Sequence, residues 1–130
     1  MAQDLSTFRR LRESFVPVLS PDEFWERKAF TNFVPELVEP LPSRPTARQW
    51  DAGRSEFEAL LDYVRPKRIL VVGATLWRHL PPAEHETKST RIYRGHILAA
   101  WILHPSSWNR QRYTLADARR VTSRLMAHNP

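Results

Sequence analysis

The chain has 130 residues, 42% hydrophobic and 11% aromatic, enough for one packed domain and too many for a disordered segment. It contains no cysteine, so disulfides and thiolate metal sites are excluded and an intracellular, cytoplasmic location is expected. The formal charge of +6 is carried almost wholly by arginine, only Lys28, Lys67 and Lys88 being lysine; the longest purely apolar run, residues 97–103, is far too short to span a bilayer, and the N-terminus lacks the apolar core of a secretory signal.

Residues 5–16 carry Leu5, Phe8, Leu11 and Phe15 at helical spacing. Ser20-Pro21-Asp22-Glu23 is a helix start: a hydroxyl to cap, a proline suited to the first turn and two acids at the positive end of the dipole, with the helix running to Arg27. "KAFTNF", residues 28–33, alternates and is rich in aromatic and β-branched side chains, which predicts a strand. Pro35, Pro40, Pro42 and Pro45 make residues 34–46 an extended loop. Thr46 can cap a helix over residues 47–64 whose apolar stripe is Trp50, Phe57, Leu60, Leu61 and Val64, and Pro66 ends it. "RILVVG", residues 68–73, is a continuous apolar run of the kind found in central parallel strands covered on both faces. A short helix over residues 75–80, a polar loop over residues 83–91, an edge strand "RIYR" and a third strong strand "HILAAWIL" follow. Thr114-Leu115-Ala116-Asp117 is a capping box opening the last helix, whose core face is Leu115, Ala118, Val121, Leu125 and Met126.

Strands alternating with helices predict an α/β fold with a mainly parallel sheet, in which ligands bind at the C-terminal ends of strands. The predicted strands end at Asn32, Gly73 and His104. The Asn32 amide offers one donor and one acceptor and can pair bidentately with a base edge, or it can end the strand by bonding its own backbone. His104 can donate to a developing anion, Pro105 stiffens its loop, and Ser106 and Ser107 offer hydroxyls to a phosphate; the plainer alternative is a polar turn with a surface histidine. Trp108, in the same loop, can wedge or stack on bases or can cover the last helix, while Trp25, Trp50, Trp77 and Trp101 lie on apolar faces and belong to the core. The last thirty residues hold Arg110, Arg112, Arg119, Arg120 and Arg124 against one acid, Asp117, and so carry +4 of the total +6. Such a cluster suits a polyanion such as nucleic acid, or is a solvated helix face. Gly73 reads as a tight turn into a helix, there being no Gly-x-Gly-x-x-Gly around it. His79, His85 and His96 lie in different segments without metal-ligand spacing, so no metal and no other cofactor is expected.

The order "AFTNFV", a proline-rich loop with Arg44-Pro45-Thr46, "LLDYVRPKRILVVGATLWRHL" and "HPSS" resembles the uracil-DNA glycosylase-like superfamily, chiefly its small bacterial members, over residues 22–127. The resemblance implies a three-layer α/β/α sandwich around a four-stranded parallel sheet. It also implies an enzyme that flips deoxyuridine out of DNA and hydrolyses the bond between base and sugar. Asn32 matches the amide that reads the uracil edge and His104 the histidine that stabilises the departing uracil anion. Residues 105–112 match the loop that probes the minor groove and phosphates, which gives Pro105, Ser106, Ser107, Trp108, Arg110 and Arg112 as DNA contacts. The chain departs from the family ahead of Asn32. The 31 residues there contain no glycine, where the family has a strand and a glycine-rich loop with Asp-Pro or Glu-Pro that positions water. The expectation is one domain over residues 1–130, incomplete at its N-terminal side relative to the family. Three readings stay open: a base-excision enzyme or its remnant; a nucleic-acid-binding module without catalysis; and an interaction domain whose missing strand is supplied by a partner or a second copy.

Overall fold

The structure, a computed structural model, describes residues 5–28, 31, 33 and 45–129. Helix α1 (Leu5–Glu13) stops short of the expected residue 16 because Ser14 turns its hydroxyl back onto the Leu11 carbonyl at 2.6 Å, and Pro17 disfavours helix in the residue before it. The next helices start where the sequence says. In α2 (Pro21–Arg27) the Ser20 hydroxyl accepts from the Glu23 amide and the Glu23 carboxylate accepts from the Ser20 N–H. In α3 (Ala47–Tyr63) Thr46 and Gln49 make the same reciprocal pair. The α3 core stripe is Gly53, Phe57 and Leu61, with Trp50 half-buried, while Val64, expected on it, is 52% exposed just past the helix end.

Lys28 has extended backbone but neither it nor Thr31 nor Phe33 belongs to a strand; the rest of the strand expected over residues 28–33, Asn32 included, and the proline loop over residues 34–44 lie outside the described residues. Phe33 packs over α3, and a Cβ on Gly53 would stand 2.6 Å from its ring.

The sheet corrects the expectation of mainly parallel strands. After β1 (Arg68–Val72) and α4 (Ala74–His79), β2 (His85–Glu86), β3 (Thr90–Tyr93) and β4 (Ile97–Ile102) follow, in the spatial order β1-β4-β3-β2. Among the described residues the one parallel pairing is that of β1 with β4, in the register Ile69↔Ala99 and Val71↔Trp101, and β3 runs against both of its neighbours. The reason is the turn after Tyr93. Arg94 (φ 54°) and Gly95 (φ 79°) both adopt left-handed backbone, and this tight reversal leaves only an antiparallel pairing of β3 with β4. "RIYR" therefore belongs to an inner strand, flanked on its far side by β2, which arises from the expected loop over residues 83–91. Among the described residues β1 ends the sheet rather than lying at its centre.

Both faces of the sheet carry helices, as the apolar runs require. Ile69, Val71, Ile97, Ala99 and Trp101 pack with Phe57 and Leu61 of α3 and Trp77 of α4. On the other face Leu70, Val72 and Ile102 meet Leu11 and Phe15, Phe24 of α2 and Ala118 of α5 (Leu115–Ala127), while Leu98 and Ala100 meet Leu125. Helix α5 opens with the expected box, Thr114 N–H donating to Asp117 at 2.8 Å. Its core face differs in one place: Met126 is 43% exposed, and Thr122 is buried instead, its hydroxyl donating to the Ser14 carbonyl at 2.5 Å.

Two expected outcomes follow from these termini. The Ser20 hydroxyl and amide hold the Glu23 carboxyl below its usual value, and the Thr114 amide does the same for Asp117. A carboxyl depressed by folding adds stability that is present above its unfolded value and lost as pH falls through the folded one. Thermal melts of wild type should therefore fall more steeply below about pH 4 than those of Glu23→Gln/Asp117→Asn; parallel curves would contradict this. Gly73, between β1 and α4, has φ 118° and ψ 135°, and a Cβ there would meet nothing within 4 Å. The cost of Gly73→Ala is thus purely one of backbone conformation, about 1–3 kcal/mol in a urea titration. A neutral substitution would show that this turn does not need glycine.

Candidate functional site

Strand β4 delivers its C-terminal residues beside the entry to α4, where the Gly73 N–H extends the parallel ladder by donating to the Ile102 carbonyl at 2.8 Å. Two residues on, His104 is exposed and has φ −56° and ψ 136°, the extended backbone that a following proline imposes. It caps a 3-10 turn (Pro105–Ser107): its Nδ1 accepts from the Ser106 N–H at 3.1 Å and lies 2.8 Å from the Ser106 hydroxyl. A backbone amide can only donate. The neutral imidazole in this arrangement therefore keeps its proton on Nε2, and that N–H is the donor available to a ligand.

Pro105 is buried and so stiffens the turn from beneath, while Ser106 and Ser107 are exposed. Trp108 does not project as a wedge. Its Nε1–H donates to the Leu103 carbonyl at 2.9 Å, its ring lies 6.2 Å from that of Tyr113, and it packs against the cluster that holds Ile102 and Ala118. Covering the last helix is the alternative the structure favours for it. Trp25, Trp50, Trp77 and Trp101 are buried or half-buried, as expected of core aromatics.

Tying Trp108 to Leu103 sets the next turn beside the first. Asn109 and Tyr113 form a bridge, and Asn109 Oδ1 accepts from the amides of Gln111 and Arg112 at 2.9 and 2.7 Å, an Asx-type turn. Arg110 and Arg112 stand exposed on it, and neither guanidinium makes a hydrogen bond or ion pair among the described residues. The basic cluster read from the sequence divides here. Arg119 donates to the Glu13 carbonyl at 2.9 Å and Arg120 pairs with Asp117, whereas Arg110, Arg112 and exposed Arg124 keep their charges toward solvent.

Asn32 lies outside the described residues, so its spacing to His104 is not part of this geometry. A shallow cavity of about 600 Å³ lies elsewhere, along the outside of α3 between Glu56, Ala59, Leu60, Asp62 and Tyr63, and contains none of the expected site residues. Among the described residues no group of three His, Asp or Glu side chains is arranged to hold a metal, and no helix is long and apolar enough to cross a membrane. One residue of the neighbourhood escaped the sequence reading. Arg10, on α1, donates to the Pro105 carbonyl at 3.0 Å; the partners are 95 residues apart, and nothing in the local pattern of α1 marks it. Comparison with protein-family models, curated proteins and solved structures returned no match.

Proposed function

We propose that this chain is a DNA-binding α/β domain of the uracil-DNA glycosylase kind, which grips phosphates through Arg110 and Arg112 and presents His104 to an extrahelical base. The observation that carries this reading is the Ser106 N–H aimed at Nδ1 of the exposed His104 at 3.1 Å, which occupies Nδ1 and leaves Nε2 to meet a ligand. The exposed arginines of the 109–113 turn, free of acidic partners among the described residues, support it. Helices against both faces of the sheet are consistent with the three-layer α/β/α sandwich of that superfamily, with the reversed strand β3 and its two antiparallel pairings as a departure from it.

In this reading Asn32 reads the edge of uracil, His104 donates to the pyrimidine oxygen as negative charge gathers there while the bond to the sugar breaks, and a solvent water bonds to the sugar carbon in the base's place and gives up a proton to solvent. Uracil departs as a delocalised anion, so one well-placed neutral donor acts on the charge that develops in the transition state. Ser106 and Ser107 offer hydroxyls to the flanking phosphates, and extrusion of the base is the step the arginine contacts sustain.

A second reading, binding without catalysis, is favoured by the exposed and unpaired guanidinium groups of Arg110 and Arg112, which serve phosphate contacts without any chemistry at His104. A single-uracil oligonucleotide incubated with the protein and then with alkali separates the two. Strand cleavage at the uracil supports the enzyme, binding without cleavage supports the module, and neither binding nor cleavage overturns both.

A further inference from the structure

Helix α1 touches the His104 turn through a long-range hydrogen bond from a charged donor. Arg10 Nη1 donates to the Pro105 carbonyl at 3.0 Å in a partly buried setting. That carbonyl also accepts from the Trp108 N–H at 3.2 Å, so it closes the 3-10 turn from within and is held by Arg10 from without. Proline contributes no N–H of its own, which leaves its carbonyl as the one backbone polar group through which residue 105 can be anchored. The helix that carries Arg10 is itself fixed. Leu11 and Phe15 are buried in the core beside it, Arg119 of α5 donates to the Glu13 carbonyl at 2.9 Å, and Thr122 donates to the Ser14 carbonyl at 2.5 Å. The turn is thus clamped between a buried proline ring and a guanidinium on a helix that α5 pins in place.

We infer that Arg10 is a positioning residue for the candidate site: by holding Pro105 it sets the direction in which the His104 Nε2–H and the hydroxyls of Ser106 and Ser107 face a ligand. The brace follows from the geometry alone; what the braced turn does rests on the DNA-binding reading. A bond donated by a charged group to a neutral carbonyl is stronger than one between neutral groups, and this one replaces the flexibility normal for an exposed turn. A guanidinium with one N–H committed here keeps other donors, so a direct phosphate contact is the rival role and the test must separate them.

The test uses the whole chain with Arg10→Met, which keeps the stem and removes charge and donors, and Arg10→Lys, which keeps a charge and a donor. Backbone 15N relaxation at Ser106 and Ser107 should give order parameters near about 0.85 in wild type and below about 0.6 in Arg10→Met, with Arg10→Lys close to wild type. Oligonucleotide affinity should fall about tenfold in Arg10→Met and return in Arg10→Lys, with no change in the salt dependence of binding. A turn as ordered in Arg10→Met as in wild type would overturn the inference. So would an affinity loss in which the salt slope falls by about 0.9 while the turn stays ordered, the signature of a phosphate contact. If the turn loosens but wild type binds no oligonucleotide, the brace stands and the DNA-binding reading falls.

Discussion

Replacing Phe24 by alanine is expected to destabilise the domain by about 3–5 kcal/mol, the range for removing a fully enclosed aromatic ring. Phe24 is 1% exposed, although it belongs to a helix of only seven residues. Its ring lies 5.4 Å from that of Phe15 and in one cluster with Leu11, Ile102 and Ala118, so it is the point where α1, α2, α5 and β4 meet. A helix of that length is not stable by itself, and its position depends on this side chain. The loss should exceed what burial area alone would give, because the surrounding rings, held by α1 and α5, cannot collapse fully into the space. Chemical denaturation measures it. A loss below about 1 kcal/mol would mean that α1 and α2 are loosely attached, and the brace on the His104 turn would lose its foundation.

In a protein that releases uracil, His104→Asn is expected to lower the rate by about 10²–10³-fold while changing stability by less than about 0.5 kcal/mol. Asparagine is the informative replacement. Its side-chain oxygen can accept from the amide two residues on and so preserve the turn, but its shorter side chain does not reach where the imidazole Nε2–H points. His104 is exposed and lies beyond the end of β4, so no core contact is lost. The comparison is of single-turnover release rates alongside urea titrations. A variant within a few-fold of wild type would remove His104 from the chemistry and leave it as a capping residue, the plainer of its two roles.

Local chemistry was legible in the sequence. Ser20-Pro21-Asp22-Glu23, Thr46 and Thr114-Leu115-Ala116-Asp117 each open a helix because a hydroxyl and its partner three residues on satisfy orphan amides within one turn, and no distant residue is needed. The apolar runs of β1 and β4 announced strands for a similar reason, and that of β1 announced one covered on both faces. Pairing direction was less legible. "RIYRGHIL" contains its hairpin, but the reversal depends on Arg94 adopting left-handed backbone, which arginine rarely does; here Asp62 and Glu58 of α3 hold its side chain. Met126 and Thr122 exchanged places with respect to the core because Ser14 offers a buried carbonyl that only a hydroxyl at 122 can serve. At the site, the order His104-Pro105-Ser106 could be read, and so could the exposed arginines that follow. Arg10 could not, since its partner is set by how α1 docks and not by any spacing along the chain.

In the proposed function, the rim built by the His104 turn and the 109–113 turn holds a nucleic acid through unpaired arginines. Fluorescence anisotropy of a labelled oligonucleotide, titrated with wild type and with Arg110→Ala/Arg112→Ala across a series of potassium chloride concentrations, tests it directly. The predicted result is a wild-type affinity that falls linearly with the logarithm of salt, and a double variant that binds more weakly with a slope shallower by about 1.8, the share of two phosphate contacts. Superimposable curves for the two proteins, or no binding by wild type at low salt, would contradict it.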